Sequence, residues 1–281
     1  MLGDVHGMCM SAGTFFQTVG GQDSQALGMN EIALVCVLAL EGHDSPDVSM
    51  SYNNIGEVYR LQGKYEEALE VHRKSLDIRT RIYGGDNHPD VAASYTNIGI
   101  VYDSQGQYER ALEYYQKALE IFIKVSGQDH PNVAASYTNI GVVYVSQGQY
   151  ERALEYYQKA LEIDIKVSGQ DHPDVAVSYH GIGNVYNSQG QYERALEYYQ
   201  KSLDIRIRVF GSDHPDVASS YQVLAGVYHR QGNNVRNKEM ATKAYHIFLK
   251  VLGPDHPDTQ GLARCFGISL PADASSKSSR I

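Results

Sequence analysis

The chain has 281 residues, with 24 Lys plus Arg against 33 Asp plus Glu, and its 42 % apolar and 20 % charged content is that of a folded protein. A net charge of −9 without any Lys/Arg run removes the counterion release that drives binding to nucleic acid and the attraction to an anionic bilayer, so no nucleic acid partner is expected. Cys9, Cys36 and Cys265 stand far apart with no C-x-x-C spacing, which argues against a disulfide framework or a zinc site and fits a reducing compartment.

Residues 1–25 carry no apolar period and read as a flexible segment. No basic stretch precedes a hydrophobic region there, so a secretion signal has no support and a cytoplasmic location is expected. The longest apolar run, Ile32 to Leu40, is about half of the roughly 20 residues a membrane helix needs, so membrane insertion is not expected. Residues 26–45 are predicted as a single capping helix.

From Pro46 onward the chain repeats itself. His-Pro recurs at His88, His130, His172, His214 and His256, 42 residues apart each time, and a period of this length is the mark of a repeat architecture. The blocks Val91–Asn132 and Val133–Asp174 differ only at Ile100/Val142, Asp103/Val145, Phe122/Asp164 and Asn132/Asp174. An earlier copy begins at Pro46, 43 residues before Pro89, with its extra residue at the Gly84-Gly85 pair.

Each copy encodes two helices. Pro89 can open the first because its missing N–H would have no intrahelical acceptor, and Asp90 suits the positive helix end. Val91, Tyr95, Ile98 and Tyr102 then keep the three-or-four spacing of a one-sided helix to about Ser104. Gly106 marks the turn, and Tyr108, Ala111, Leu112, Tyr115, Ala118, Leu119 and Phe122 carry the same period through a second helix closed by Lys124 and Gly127. The predicted organisation is five helical hairpins, 46–88, 89–130, 131–172, 173–214 and 215–256, then a capping helix over 257–270 and a Ser/Ala-rich disordered tail over 271–281.

The residues that could carry chemistry have plainer duties. Asp129, Asp171, Asp213 and Asp255 each precede a His-Pro pair, but equivalent positions of stacked helices lie roughly 8–10 Å apart, too far to share a metal ion bound at about 2 Å. Loop and helix-start roles are expected for them. Tyr95, Tyr102, Tyr108 and Tyr115 fall on core positions, with Tyr114 the exposed ring, and Glu113 with Lys117 reads as a solvated i, i+4 pair. Gly181-Ile182-Gly183 has no strand before it and no third glycine, and no nucleophile, zinc or phosphate-loop motif occurs. No catalytic residue, cofactor or metal is expected.

The set Tyr95, Ile98, Gly99, Tyr102, Ala111, Tyr115 and Ala118 resembles the tetratricopeptide repeat pattern, and it recurs as Tyr137, Ile140, Gly141, Tyr144, Ala153, Tyr157 and Ala160. The next copy gives Tyr179, Ile182, Gly183, Tyr186, Ala195, Tyr199 and Ser202, and the first reads Tyr52, Ile55, Gly56, Tyr59, Ala68, His72 and Ser75. The 42-residue unit with Gln-Gly-Gln-Tyr-Glu-Arg-Ala-Leu-Glu is similar to the kinesin light chain and nephrocystin-like subclass. The fifth copy departs from it, with Asn237 and Ala241 where Ala and an aromatic stand elsewhere. The resemblance implies an all-α, right-handed superhelical solenoid of stacked antiparallel helix pairs, acting as a non-catalytic scaffold that binds a protein or peptide partner. A regulatory or sensor fragment of a larger signalling protein is the alternative.

In this family the first helices of the pairs line a concave groove. From the third copy to the fourth that helix changes Ala135 to Val177, Thr138 to His180, Asn139 to Gly181, Val142 to Asn184 and Val145 to Asn187, all on one face. In kinesin-light-chain-like repeats, Asn residues there hold the backbone of an extended peptide. The resemblance places Asn54, Asn97 and Asn139 in that role, with Gly181 and Val223 interrupting the row. The remaining expected lining is Asn53, Glu57, Arg60, Thr96, Ile100, Asp103, Thr138, Val142, Val145, His180, Asn184, Asn187, Gln222, His229 and Arg230. Met50, Ala93, Ala135, Val177 and Ser219 stand at a position of the basic clamp by which related repeats hold a C-terminal carboxylate, so that ligand is not expected.

Overall fold

A computed structural model describes residues 23–266, and every regular element in them is an α-helix. The chain forms two compact units that divide after Gln149. Unit 1 holds α1 (Asp23–Glu41), α2 (Pro46–Leu61), α3 (Tyr65–Tyr83), α4 (Pro89–Ser104), α5 (Tyr108–Ser126) and α6 (Pro131–Ser146). Unit 2 holds α7 (Tyr150–Ser168), α8 (Pro173–Ser188), α9 (Tyr192–Phe210), α10 (Pro215–Arg230), α11 (Asn234–Leu252) and α12 (Pro257–Phe266). Within each unit consecutive helices pack on one another as hairpins, and α2 also touches α4. The predicted tails fall largely outside the described residues, as do 267–270. The first capping helix begins at Asp23, within the stretch expected to be flexible.

The repeat fixes helix lengths because it fixes the end signals. Each first helix of a pair starts on proline and, when complete, has 16 residues; the second helices have 19. The histidine before that proline caps the helix: the Nδ1 atoms of His88, His130, His172 and His214 accept from the backbone N–H two residues on at 3.1–3.3 Å. An accepting Nδ1 fixes the ring proton on Nε2. Ser45 does the same duty for α2, its Oγ accepting from the Val48 N–H at 3.2 Å. This bears out the helix-start reading of the His-Pro loops.

The turn between paired helices needs a left-handed residue. Gly106 has φ 72°, and the Gln107 N–H reaches back to the Tyr102 carbonyl at 2.8 Å, a glycine-terminated helix end. The extra residue of the first copy is accommodated by two consecutive positive φ values, 69° at Gly84 and 141° at Gly85.

Small residues let the paired helices approach. A Cβ at Gly99 would stand 2.7 Å from a ring carbon of Tyr115, and one at Gly183 equally close to Tyr199. The rings beneath are locked, Tyr115 being only 3 % exposed. In the first pair His72 takes the ring's place against Gly56.

Two expectations about the surface are corrected. Tyr114 is half-buried, not the exposed ring: it stacks on Tyr102 at 5.4 Å between centroids and lies 6.1 Å from Tyr95. Lys117 sits over the Tyr114 and Tyr95 rings at 5.1 and 5.8 Å instead of pairing with Glu113. In unit 2 Lys201 does both, reaching the Tyr198 ring at 4.7 Å and Glu197 at 2.7 Å.

Candidate functional site

The residues expected in the groove fall on one face of the first helices, but the structure gives them different jobs. In unit 1, Asn53 is a core bridge. Its amide nitrogen donates to His72 Nδ1 (3.2 Å) and Ser75 Oγ (3.1 Å), while its oxygen accepts from Arg79 at 3.0 Å. The His72 ring is buried and its pKa is pushed down to about 4, chiefly by loss of water. An amide spent on these contacts cannot also hold a ligand.

Glu57 and Arg60 neutralise each other on α2 through a two-pronged pair of 2.6 and 2.8 Å, which raises the Arg60 pKa further. On α4, Thr96 donates to its own helix at the Ala92 carbonyl (3.1 Å), and Ile100 is half-buried. Asp103 is half-buried, its carboxyl makes no hydrogen bond or ion pair to a described residue, and burial raises its pKa. Sequence reasoning placed Asp103 here but had no signal for its lack of a partner.

Asn97 on α4 and Asn139 on α6 occupy equivalent positions. Both are half-buried, and neither carboxamide makes a hydrogen bond to a described residue. Asn54 occupies the matching place on α2 and has an interaction of its own. Around Asn139 the α6 face turns apolar, with Thr138 and Val145 half-buried and Val142 41 % exposed. Unit 1 thus presents a face that grades from charged on α2 to apolar on α6, with two free amides.

Unit 2 treats the same positions differently. Gly181 is no gap in a groove: it is buried, and the Tyr157 ring of α7 fills the space a side chain would need. His180 lies against the Tyr199 ring at 5.2 Å, and burial, with Arg206 nearby, pushes its pKa to about 4. Asn184 accepts the Tyr199 hydroxyl at 2.7 Å, and burial pushes that phenol up to about 12. Asn187 has a buried oxygen with no hydrogen-bond partner among the described residues. Gln222 and Val223 are half-buried, and His229 and Arg230 exposed. His180 and Asn184 are thereby internal supports, an outcome that periodicity alone does not reveal.

One substitution inside the repeat places a charge in the core. Asp164 of α7, at the position of Phe122, is 5 % exposed and accepts from Ser178 Oγ at 2.9 Å. Burial raises its pKa, and the Ser178 bond only partly opposes this. Among the described residues no three His, Cys, Asp or Glu side chains stand together to hold a metal ion, and no helix is long and apolar enough to cross a membrane.

Family models described as tetratricopeptide repeat match residues 24–81, 47–124, 90–166, 133–205 and 174–235, and a further one matches 217–258. Comparison with curated proteins returns no match. Among solved structures, BtubC (BKLC) from P. vanneervenii is similar with 21 % identity and a TM-score of 0.68, covering 84 % of this chain and 94 % of that one. A putative kinesin light chain with nearly identical TPR-like repeats from Podosopora anserina is 25 % identical with a TM-score of 0.59, covering 74 % and 98 %. A signal transduction ATPase with a tetratricopeptide repeat sensor from Pyrococcus horikoshii matches at 18 % identity and TM-score 0.63, covering 92 % of this chain and 37 % of that one.

Proposed function

We infer the function of this chain from the tetratricopeptide repeat family, to which it belongs, a family of protein-interaction scaffolds. Its role is that of a non-catalytic adaptor of the kinesin-light-chain kind, working in the cytoplasm and binding an extended peptide segment of a partner protein through α2, α4 and α6 of unit 1. One observation carries this reading: Asn97 and Asn139 stand half-exposed at equivalent positions, with carboxamides that no described residue uses. A carboxamide offers both a donor and an acceptor, the complement of a peptide unit. Burying such groups without partners costs free energy, and an extended chain meeting them supplies the missing bonds.

The rest of the face supports the same ligand. Arg60 is held by Glu57, so no free cation awaits a terminal carboxylate. Ile100, Val142 and Val145 offer apolar contact beside the amides, and Asp103 offers a carboxyl to a basic side chain. A nonapeptide library displayed on phage and selected against the full chain tests the reading. Selected peptides are expected to lose on the order of tenfold affinity with Asn97→Ala plus Asn139→Ala, two hydrogen bonds at about 0.5 to 1.5 kcal/mol each. The control Glu113→Ala with Glu155→Ala is expected to bind normally. Loss in the control with retention in the Asn variant would move the site to the second helices.

A further inference from the structure

Two of the four positions at which the blocks 91–132 and 133–174 differ lie on the peptide-binding face: Ile100 against Val142 and Asp103 against Val145. The helices α4 and α6 therefore offer the same amide, at Asn97 and Asn139, beside different chemistry. On α4 the half-buried Asp103 carboxyl makes no hydrogen bond or ion pair to a described residue. The Tyr115 phenol feels this charge: its pKa is raised first by burial and then by Asp103, with Arg60 opposing. Arg60 itself, at the matching position of α2, is held by Glu57. A carboxylate that has lost water without gaining a counter-charge is relieved by an incoming cation. On α6 the matching side chains are the exposed Val142 and the half-buried Val145, which gain by being covered with apolar surface.

Helix geometry sets how a ligand meets both. Asn97 and Asp103 are six residues apart, about 9 Å along α4, with Ile100 between them. A ligand residue whose backbone is held at Asn97 thus needs a long side chain to reach the carboxylate. The methylene stem of lysine or arginine can lie on Ile100 while its charge meets Asp103. Equivalent positions on stacked helices such as α4 and α6 stand roughly 8–10 Å apart. A β-strand turns successive side chains to opposite faces, but polyproline II has three residues per turn at about 3.1 Å each. Its residues i and i+3 share a face about 9 Å apart, and its backbone, free of internal hydrogen bonds, can meet both carboxamides.

We propose that the partner segment is a polyproline II stretch carrying lysine or arginine over α4 and a large apolar residue over α6, three positions apart, with the cation paired to Asp103. This partner rests on the peptide-binding reading above, because Asn97 and Asn139 hold its backbone, and it gives that reading a chemical identity. Prolines between the two anchors hold the segment in its bound form before it meets the groove, which lowers the ordering cost of binding.

Fluorescence polarisation of labelled, capped peptides against the full chain tests the proposal. Peptides centred on Arg-Pro-Pro-Leu and on Leu-Pro-Pro-Arg cover both directions of entry. The better of the two is expected to bind on the order of tenfold more tightly than its form with Glu for Arg, and more tightly than forms with the anchors two or four positions apart. Asp103→Arg installs the residue type already present at Arg60 and Arg230; it is expected to keep the helical circular dichroism and to reverse the preference in favour of the Glu peptide. Val145→Asp, which copies the α4 charge onto α6, is expected to favour Arg-Pro-Pro-Arg. The proposal is overturned if neither parent peptide binds at millimolar concentration, if the spacing makes no difference, or if the arginine preference survives in folded Asp103→Arg. In each of those cases phage-selected peptides that need Asn97 and Asn139 would leave the peptide-binding reading standing. Bound peptides that all ignore both amides would overturn that reading, and this partner with it.

Discussion

Adding one methyl group at Gly99 sets two effects of opposite sign against each other. Alanine is favoured over glycine inside a helix by about 1 kcal/mol, so Gly99→Ala should stabilise α4 if space allows. Space does not allow it: the new Cβ would stand 2.7 Å from the Tyr115 ring, where carbon atoms prefer about 3.5 to 4.0 Å. The ring is 3 % exposed and cannot swing into solvent, so it must back off by about 1 Å within a packed interior. Overpacking of this kind costs about 1 to 3 kcal/mol, which leaves a net loss of up to about 2 kcal/mol for Ala and a larger one for Leu. Gly226 gives the matched control. A Cβ there meets nothing within 4 Å, and equivalent positions hold Ile100 and Val142, so Gly226→Ala should stabilise by about 1 kcal/mol. Urea unfolding followed by circular dichroism reads both. If Gly99→Ala and Gly226→Ala stabilise alike, the crossing of α4 and α5 is not closed by a locked Tyr115 ring.

Asp164→Asn keeps an acceptor for Ser178 and removes a buried charge, so it should stabilise unit 2 at pH 7 by about 1 kcal/mol or more. Because the folded carboxyl pKa is raised, its cost appears as pH rises above the unfolded value; the variant's advantage should shrink near pH 3 to 4, and an advantage independent of pH would contradict this cause. His72 has the opposite dependence, with a folded pKa of about 4 against 6.5 unfolded. Its neutral, buried state is fully favourable above about pH 6.5 and is lost as pH falls toward 4, on the order of 3 kcal/mol in all. His72→Tyr, the ring found in the later repeats, should flatten the acid limb of a stability-against-pH curve, and an unchanged limb would assign it to other groups.

The hairpin architecture was legible because its signals are local. Proline at the helix start, glycine at the turn and apolar spacing place α4 at Pro89–Ser104, with the same ends in sequence and structure, and start α12 at Pro257. The candidate face was less legible, because which amide is free depends on side chains across the hairpin. Asn53 and Asn54 are neighbours on α2, yet the reach of Arg79, a residue of the next helix, ties Asn53 into the core. Gly181 reads as a missing amide and is in fact the floor beneath a tyrosine from the preceding helix. Tyr114 likewise looked outward by its helical position, but rings two turns apart on α4 close over it.

The peptide-binding reading rests on two free amides, and their own signals test it most directly. Side-chain carboxamide resonances of the full chain, labelled with nitrogen-15 and assigned by single Asn→Ala variants, can be followed as a phage-selected nonapeptide is added. The account predicts that the Asn97 and Asn139 carboxamides shift together and saturate at the affinity measured for binding, while those of Asn53 and Asn184, held by internal partners, stay in place. Saturable binding that leaves Asn97 and Asn139 unmoved would contradict it.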